Sequence, residues 1–359
     1  MATIKYEPDF VSPPGATLQD ALDERGMSQV ELAERTGHAP KVINEIVKGK
    51  AAITPETAIQ LERVLGIGAR FWSNRESRYR EFLARQQEAL NLKPHLAWAK
   101  QFPVREMKKY EFIDAPETDI KLVGQMLDFF GVASPHQFDA VWSEKQPAFR
   151  KSSVYSVDRL ALIAWLRQGE REAQAVACED YAHEKFFAAL LAARTLTTKK
   201  PNEYGPKLKA LFSHAGVAIV FVRELPRIRT SGATQWISSK KAMIQLSLRY
   251  KTSDHLWFTI FHEAAHILKH PKRRMFVEKI EYAIDPELEL EANQFSADLL
   301  IPPDSWRAFL QQDRFSAPSA VRFAQSIKID PGIVIGRLQH EGRLRRDRLN
   351  HLKTRLEWV

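Results

Sequence analysis

Two histidines four residues apart, with a glutamate between them, stand in FTIFHEAAHILKH, residues 258–270, and this run constrains the fold more than any other. Residues four apart share a face one turn away on a helix, so His262 and His266 can reach one ion there; a strand or an irregular loop would not hold the two rings together. Phe258, Phe261, Ala265 and Leu268 recur at helical spacing and predict that one side of this helix is buried. On such a helix both imidazoles reach one ion, and Glu263 stands beside it as a general base, as a zinc hydrolase requires. Zinc favours neutral imidazole and carboxylate ligands, and a catalytic centre keeps one coordination position for water. His262 and His266 therefore need a third protein ligand.

A source for it lies downstream in PELELEANQFSADLLIP, residues 286–302. This segment begins at a proline, runs through strong helix formers and stops at two prolines, as a helix does. Ala292, Phe295 and Leu299 form an apolar stripe with Glu289 and Asn293 on one flank and Glu291 on the other, so either acid can complete a His2Glu site.

HEAAH followed by ELEANQFSADLLIP resembles the ImmA/IrrE family of metallopeptidases, whose pattern is HExxH and then ExxAN-x-F-x-x-x-LL-x-P. The resemblance implies a gluzincin-like zinc endopeptidase, with His262, His266 and Glu289 as zinc ligands and Glu263 as general base. Glu291 is the fallback ligand, since helical geometry alone does not separate the two acids. Ser296 stands where the family more often has alanine. Upstream, Ala242–Arg249 alternates as a strand would, and Gly216–Val222 reads as a buried strand. By the resemblance, the strand before the HExxH helix borders the cleft, where an extended protein substrate can pair with it. Arg249 and Tyr250 close this strand and are read as structural rather than as oxyanion donors.

The chain has 359 residues, 44% hydrophobic and 27% charged, which is room for two or three domains. No apolar stretch approaches a membrane span, and the first residues lack the pattern of a secretion signal. Cys178, the single cysteine, excludes an internal disulfide and is expected as a small buried side chain on a helix. A cytoplasmic location follows as the expectation. Lysine and arginine outnumber acids 53 to 44, a balance that suits a nucleic-acid partner if the charge is localised.

A second constellation gives that balance a place. Residues 17–66 divide into TLQDALDERG, MSQVELAERTG, HAPKVINEIVKGK and, after a short linker, TPETAIQLERVLG. Ser28 and Glu31 predict a capping box, and Gly37 a tight turn, which together make a helix-turn-helix pattern. Val30, Leu32, Ala33, Val42, Ile43 and Ile46 are expected to pack inward, leaving Gln29, His38, Lys41, Asn44 and Lys48 outward. Glutamine and asparagine suit adenine edges, and lysine suits guanine or phosphate. The stretch from Ser28 through GKAAITPETA to the FW at 71–72 resembles the XRE-type domain of HigA-like antitoxins, implying double-stranded DNA as partner. Such units commonly bind as dimers, so a homodimer on a palindromic operator is expected.

Between these motifs the apolar spacing is mostly helical, with APE, ASPHQF and KKPNEYGP expected as loops and Trp142 and Trp165 as packing residues. Near the end, SAVRFAQSIKIDPGIVIGRLQHEGRL reads as a helix pair joined at DPG, and RLRRDRLNHLKTR as a solvated helical face. The fold expected is mainly α with a small β-sheet, in the α+β class. Its parts are an arm at 1–16, a helix-turn-helix domain at 17–82, a helical connection at 83–205, a zincin-like peptidase core at 206–305 and a helical end at 306–359. The function read from these parts is a transcriptional regulator that cleaves a regulatory protein, such as a repressor, an antitoxin or a copy of itself, after a signal. The alternative is an antitoxin or regulator whose peptidase-like domain serves as a sensor or scaffold without proteolysis.

Overall fold

Helices begin in the first part of the chain wherever a capping residue or a proline precedes spaced apolar residues. The computed structural model describes residues 10–117, 119–144, 158–272, 276–277, 286–312 and 314–358, and it divides after Pro94 into two units. In the first unit α1 (Pro14–Glu24), α2 (Gln29–Thr36), α3 (Pro40–Val47), α4 (Pro55–Leu65) and α5 (Ala69–Leu92) enclose a core of Leu18, Leu22, Leu32, Ile43, Ile46, Leu61 and Trp72. Pro14, Pro40 and Pro55 each open a helix, where the missing N–H has no intrahelical partner to lose.

Ser28 caps α2 by accepting the Glu31 N–H at 3.1 Å, but the Glu31 carboxylate turns to Arg35 at 2.6 Å, so the capping box is half formed. Gly37 ends α2 with φ 72°, a conformation that disfavours a side chain. Val30 departs from the expected packing: it is 54% exposed and joins the outward surface of α2. The boundary expected at residue 82 falls inside α5, which runs unbroken to Leu92 with its outer turns laced by pairs such as Arg80–Glu76 and Arg85–Glu81.

The second unit contains α6 (Leu96–Ala99), α7 (Val104–Lys109), α8 (Lys121–Phe130), α9 (Pro135–Glu144), α10 (Arg159–Ala175), α11 (His183–Thr195) and α12 (Pro201–Ser213) before its sheet. ASPHQF and KKPNEYGP are not simply loops, because Pro135 and Pro201 each start a helix. Cys178 lies in the irregular segment after α10 and is partly exposed, not buried on a helix.

The sheet has the order β1 (Val217–Phe221), β3 (Lys241–Leu246), β2 (Gly232–Ser238), β4 (Phe276–Val277), with β1 parallel to β3 and the other pairs antiparallel. The two expected strands correspond to β1 and β3, the latter ending at Leu246. β2, whose GATQWIS does not alternate, was not anticipated, and it changes the reading of the cleft. It turns back through Ser239 and Lys240 to pair along β3, so the strand before the HExxH helix is interior and has no free edge for a peptide.

Both faces of the sheet are covered, which is why residues 216–222 read as one apolar run. Val217, Ile219, Ala242, Ile244 and Leu246 pack with Phe186, Leu208, Phe212, Trp257 and Phe261 from the helices on one side. Toward the opposite side, buried Gln245 donates to the Trp165 carbonyl at 2.7 Å, and Trp165 Nε1 donates to the Val222 carbonyl at 3.1 Å. Trp165 and Trp142 are both core residues, as expected.

After the sheet come α13 (Ser253–Lys269), α14 (Pro286–Leu300), α15 (Pro303–Leu310), α16 (Ala317–Ser326) and α17 (Pro331–His340). Asp330 of the DPG joint caps α17 by accepting the Gly332 N–H at 2.8 Å. The basic tail is not a helical face. It runs through turns and a short 3-10 helix, then pairs backbone to backbone with the entry to α13, where the Ser253 N–H meets the Thr354 carbonyl at 2.9 Å. A buried Lys353–Asp254 pair at 2.7 Å reinforces this junction.

Candidate functional site

α13 is the central helix of the second unit, and its burial exceeds the single stripe expected, because the sheet, α14 and α17 surround it. His262, Glu263 and His266 are respectively 2%, 0% and 2% exposed. A helix that buries three polar side chains must supply them with partners, and here the partners come from α14 and β2.

α14 crosses so that Glu289 meets both histidines. His262 Nε2 lies 3.3 Å from Glu289 Oε2, His266 Nε2 lies 3.1 Å from Glu289 Oε1, and the two Nε2 atoms are 3.1 Å apart. Among the described residues these three form the group whose ligand atoms all lie within 4.8 Å of one another. Ligands around tetrahedral zinc, with bonds of about 2.0–2.1 Å, are separated by roughly 3.3 Å, so the three donors are spaced as that ion requires. Their protonation also fits. Burial pushes the His266 imidazole down to about 4. Burial works against ionised Glu289, but the bonds from His262 and His266 outweigh it and hold the carboxyl at about 2. Near neutrality His266 is thus uncharged and Glu289 ionised, the forms that coordinate a metal.

Glu291 faces elsewhere: its oxygens lie 2.8 Å from Lys269 Nζ and 3.3 Å from His270 Nε2. Asn293 brings Oδ1 to 3.1 Å from His262 Nδ1. Ser296 is fully buried and donates to the Phe258 carbonyl at 3.0 Å, so the residue standing in place of alanine ties α14 to α13.

In the first unit, Lys41 and Lys48 are exposed, while Gln29, His38 and Asn44 are half-buried. Gln29 donates to Gln19 at 2.7 Å and accepts from Asn44 at 3.1 Å, a line of amides across α1, α2 and α3. His38 Nε2 is 3.5 Å from Thr57 Oγ1.

Residues 18–72 match the helix-turn-helix family and residues 216–330 match the IrrE N-terminal-like domain, a peptidase family. The chain is 32% identical over 89 residues to virulence-associated protein I of Dichelobacter nodosus, covering 24% of this chain and 82% of that protein. The chain belongs to the helix-turn-helix family and carries an IrrE-like domain. It is also 41% identical over 61 residues to the uncharacterized HTH-type transcriptional regulator YddM of Escherichia coli (strain K12), covering 17% of this chain and 65% of that protein's length. Among solved structures, a putative antidote protein of a plasmid maintenance system from Nostoc punctiforme is 28% identical with a TM-score of 0.23, covering 23% of this chain and 92% of that one. A HigA-family antidote protein from Coxiella burnetii is 24% identical with a TM-score of 0.22, covering 23% and 91%.

Within the IrrE-like domain, sequence reasoning missed two residues that touch Glu263. Thr234 Oγ1 on β2 donates to Glu263 Oε2 at 2.7 Å and lies 3.1 Å from the Glu263 carbonyl. Gly232 opens the same strand, and a Cβ there would lie 2.6 Å from Glu263 Oε1, so the close approach needs glycine. Neither carries a signal in one sequence, because β2 is remote from the motif along the chain. We expect Thr234→Val to lower the free energy of unfolding by about 1–3 kcal/mol, the cost of leaving a buried carboxyl oxygen without its partner, as read by urea denaturation. An unchanged denaturation midpoint would remove Thr234 as a support of Glu263.

Tyr250 stacks on His255 at 4.2 Å between ring centroids. Both line a cavity of 790 Å³ that His262 and Glu289 border, walled by Phe258, Leu300, Ile301 and Ile333 and by Lys353 of the tail. No helix among the described residues is long and apolar enough to cross a membrane.

Proposed function

We propose that this protein is a DNA-binding regulator whose IrrE-like domain is a zinc endopeptidase acting on a regulatory protein. The observation that carries the reading is the meeting of His262, His266 and Glu289 at 3.1–3.3 Å with Glu263 held beside them by β2. Those three side chains would hold the zinc, which when bound would supply Lewis-acid activation of water and of the scissile carbonyl. Glu263 takes the proton from the attacking water and passes it to the leaving amine. Thr234 fixes one carboxylate oxygen, so Glu263 keeps its position through both transfers. The apolar cavity bordered by His262 and Glu289 receives substrate side chains next to the scissile bond.

The substrate class follows from the family resemblance: a repressor or antitoxin-like protein, or another copy of this chain. The reading is tested by comparing the proteins of cells carrying the wild-type chain with those carrying Glu263→Gln. A fragment that depends on the acid supports it. Zinc-loaded protein that yields no such fragment would favour a sensor or scaffold role instead.

On the DNA side, Gln29, Asn44, Lys41 and Lys48 form the reading surface, with exposed Val30 beside them, and His38 stands at its border. A homodimer placing two such surfaces on a palindromic operator is the expected assembly. Asn44→Ala should weaken binding to the protein's own operator by about 1–3 kcal/mol and binding to random DNA by much less, measured by titration at fixed salt. Equal weakening on both would reassign Asn44 to a phosphate contact.

A further inference from the structure

The residue that ends α13, His270, continues the spacing of His262 and His266, and it does not face the metal centre. His270 is 6% exposed and turns Nδ1 to His266 Nδ1 at 2.8 Å, with ring centroids 4.9 Å apart. Its Nε2 lies 3.3 Å from Glu291 Oε2, and the other Glu291 oxygen accepts from Lys269 Nζ at 2.8 Å. A line of polar groups thus runs from the centre to the surface through His266, His270 and Glu291 and ends on an ammonium.

Proton bookkeeping gives this line a direction. A neutral imidazole that binds metal through Nε2 keeps its proton on Nδ1. The His266 Nδ1–H then donates to His270 Nδ1, which must present a lone pair, so His270 carries its own proton on Nε2 and donates it to Glu291. Every group in the line is satisfied by this one arrangement. The reverse arrangement places a proton on His266 Nε2, aimed at His262 and Glu289, and blocks coordination. The Glu291 carboxylate, which also receives the Lys269 ammonium at 2.8 Å, accepts from His270 and so selects the first arrangement.

We propose that His270 and Glu291 are positioning residues that hold His266 in its metal-binding tautomer and so set the zinc affinity of the site. The inference rests on the zinc reading above. It gives Glu291 a different task from the coordination that its place in ELEAN would also permit.

The test uses the full chain and zinc itself, titrated in competition with a chromogenic chelator. His270→Leu keeps bulk but offers no acceptor, and zinc affinity should fall by about 10–100-fold. His270→Gln restores both an acceptor and a donor and should stay within roughly threefold of wild type. Glu291→Ala, on an exposed side chain that the core does not need, should weaken zinc by roughly threefold to tenfold. It carries the test if His270→Leu fails to fold. Long-range nitrogen correlation spectra of the zinc-loaded wild type should show a proton on His266 Nδ1 and on His270 Nε2. Unchanged affinity in folded His270→Leu and Glu291→Ala, or equal losses in His270→Leu and His270→Gln, would overturn the proposal, since the second pattern means packing alone. A wild-type chain that binds no zinc would overturn the zinc reading itself, and this inference with it.

Discussion

The Glu263→Gln protein is expected to keep its zinc and its DNA binding and to lose cleavage by a factor of about 10²–10⁴, the usual worth of a positioned general base. The amide has the size of the carboxylate and can still accept the Thr234 hydroxyl through its oxygen, so the fully buried site need not repack. Glu263 is not one of the three converging donors, so metal content should not change. In the proposed mechanism, what disappears is the basic oxygen that would remove a proton from water. The fragment pattern in cells and the rate on purified substrate both read this loss. A Glu263→Gln chain that cuts at the wild-type rate would mean that the proton goes elsewhere.

The double variant His262→Ala, His266→Ala should lower zinc from about one per chain to below about a tenth after dialysis, measured by metal analysis, because one carboxylate cannot retain what three donors hold. Removing both rings also leaves Glu289 without the two bonds that offset its burial, so the second unit should denature more readily. The first unit has its own core around Leu22, Leu32, Ile43 and Trp72, and operator binding should persist. A double variant that holds zinc as well as wild type would show that the metal sits elsewhere.

Much of the fold was legible because its signals are local. Ser28 and Gly37 act on their own turn of backbone, Pro40 and Pro55 open helices wherever they are packed, and the i, i+4 spacing of His262 and His266 has meaning only on a helix. The failures share a different character. Val30 looked like a core residue because apolarity does not say which way a short helix faces. KKPNEYGP looked like a loop because a proline can stop a helix or start one, and only the following Leu208 and Phe212, packed on the sheet, decide which. The tail looked like a solvated helix because its arginines space well, yet backbone pairing to the entry of α13 and the Lys353–Asp254 pair hold it otherwise.

By itself the sequence determined that two histidines share a helical face with a glutamate beside them, that a second helix supplies acids within reach, and that a helix-turn-helix unit precedes them. These are consequences of backbone periodicity, which a few neighbouring residues settle. The angle at which α14 crosses α13 was left to the tertiary structure, and that angle separates two acids only two positions apart: Glu289 meets His262 and His266, while Glu291 meets His270 and Lys269. Tertiary structure alone also brought Thr234 and Gly232 against Glu263, from a strand that begins 31 positions earlier in the chain. A side chain's type limits what it can bind, but its partner is chosen by the packing of elements distant in sequence, and no local pattern records that choice.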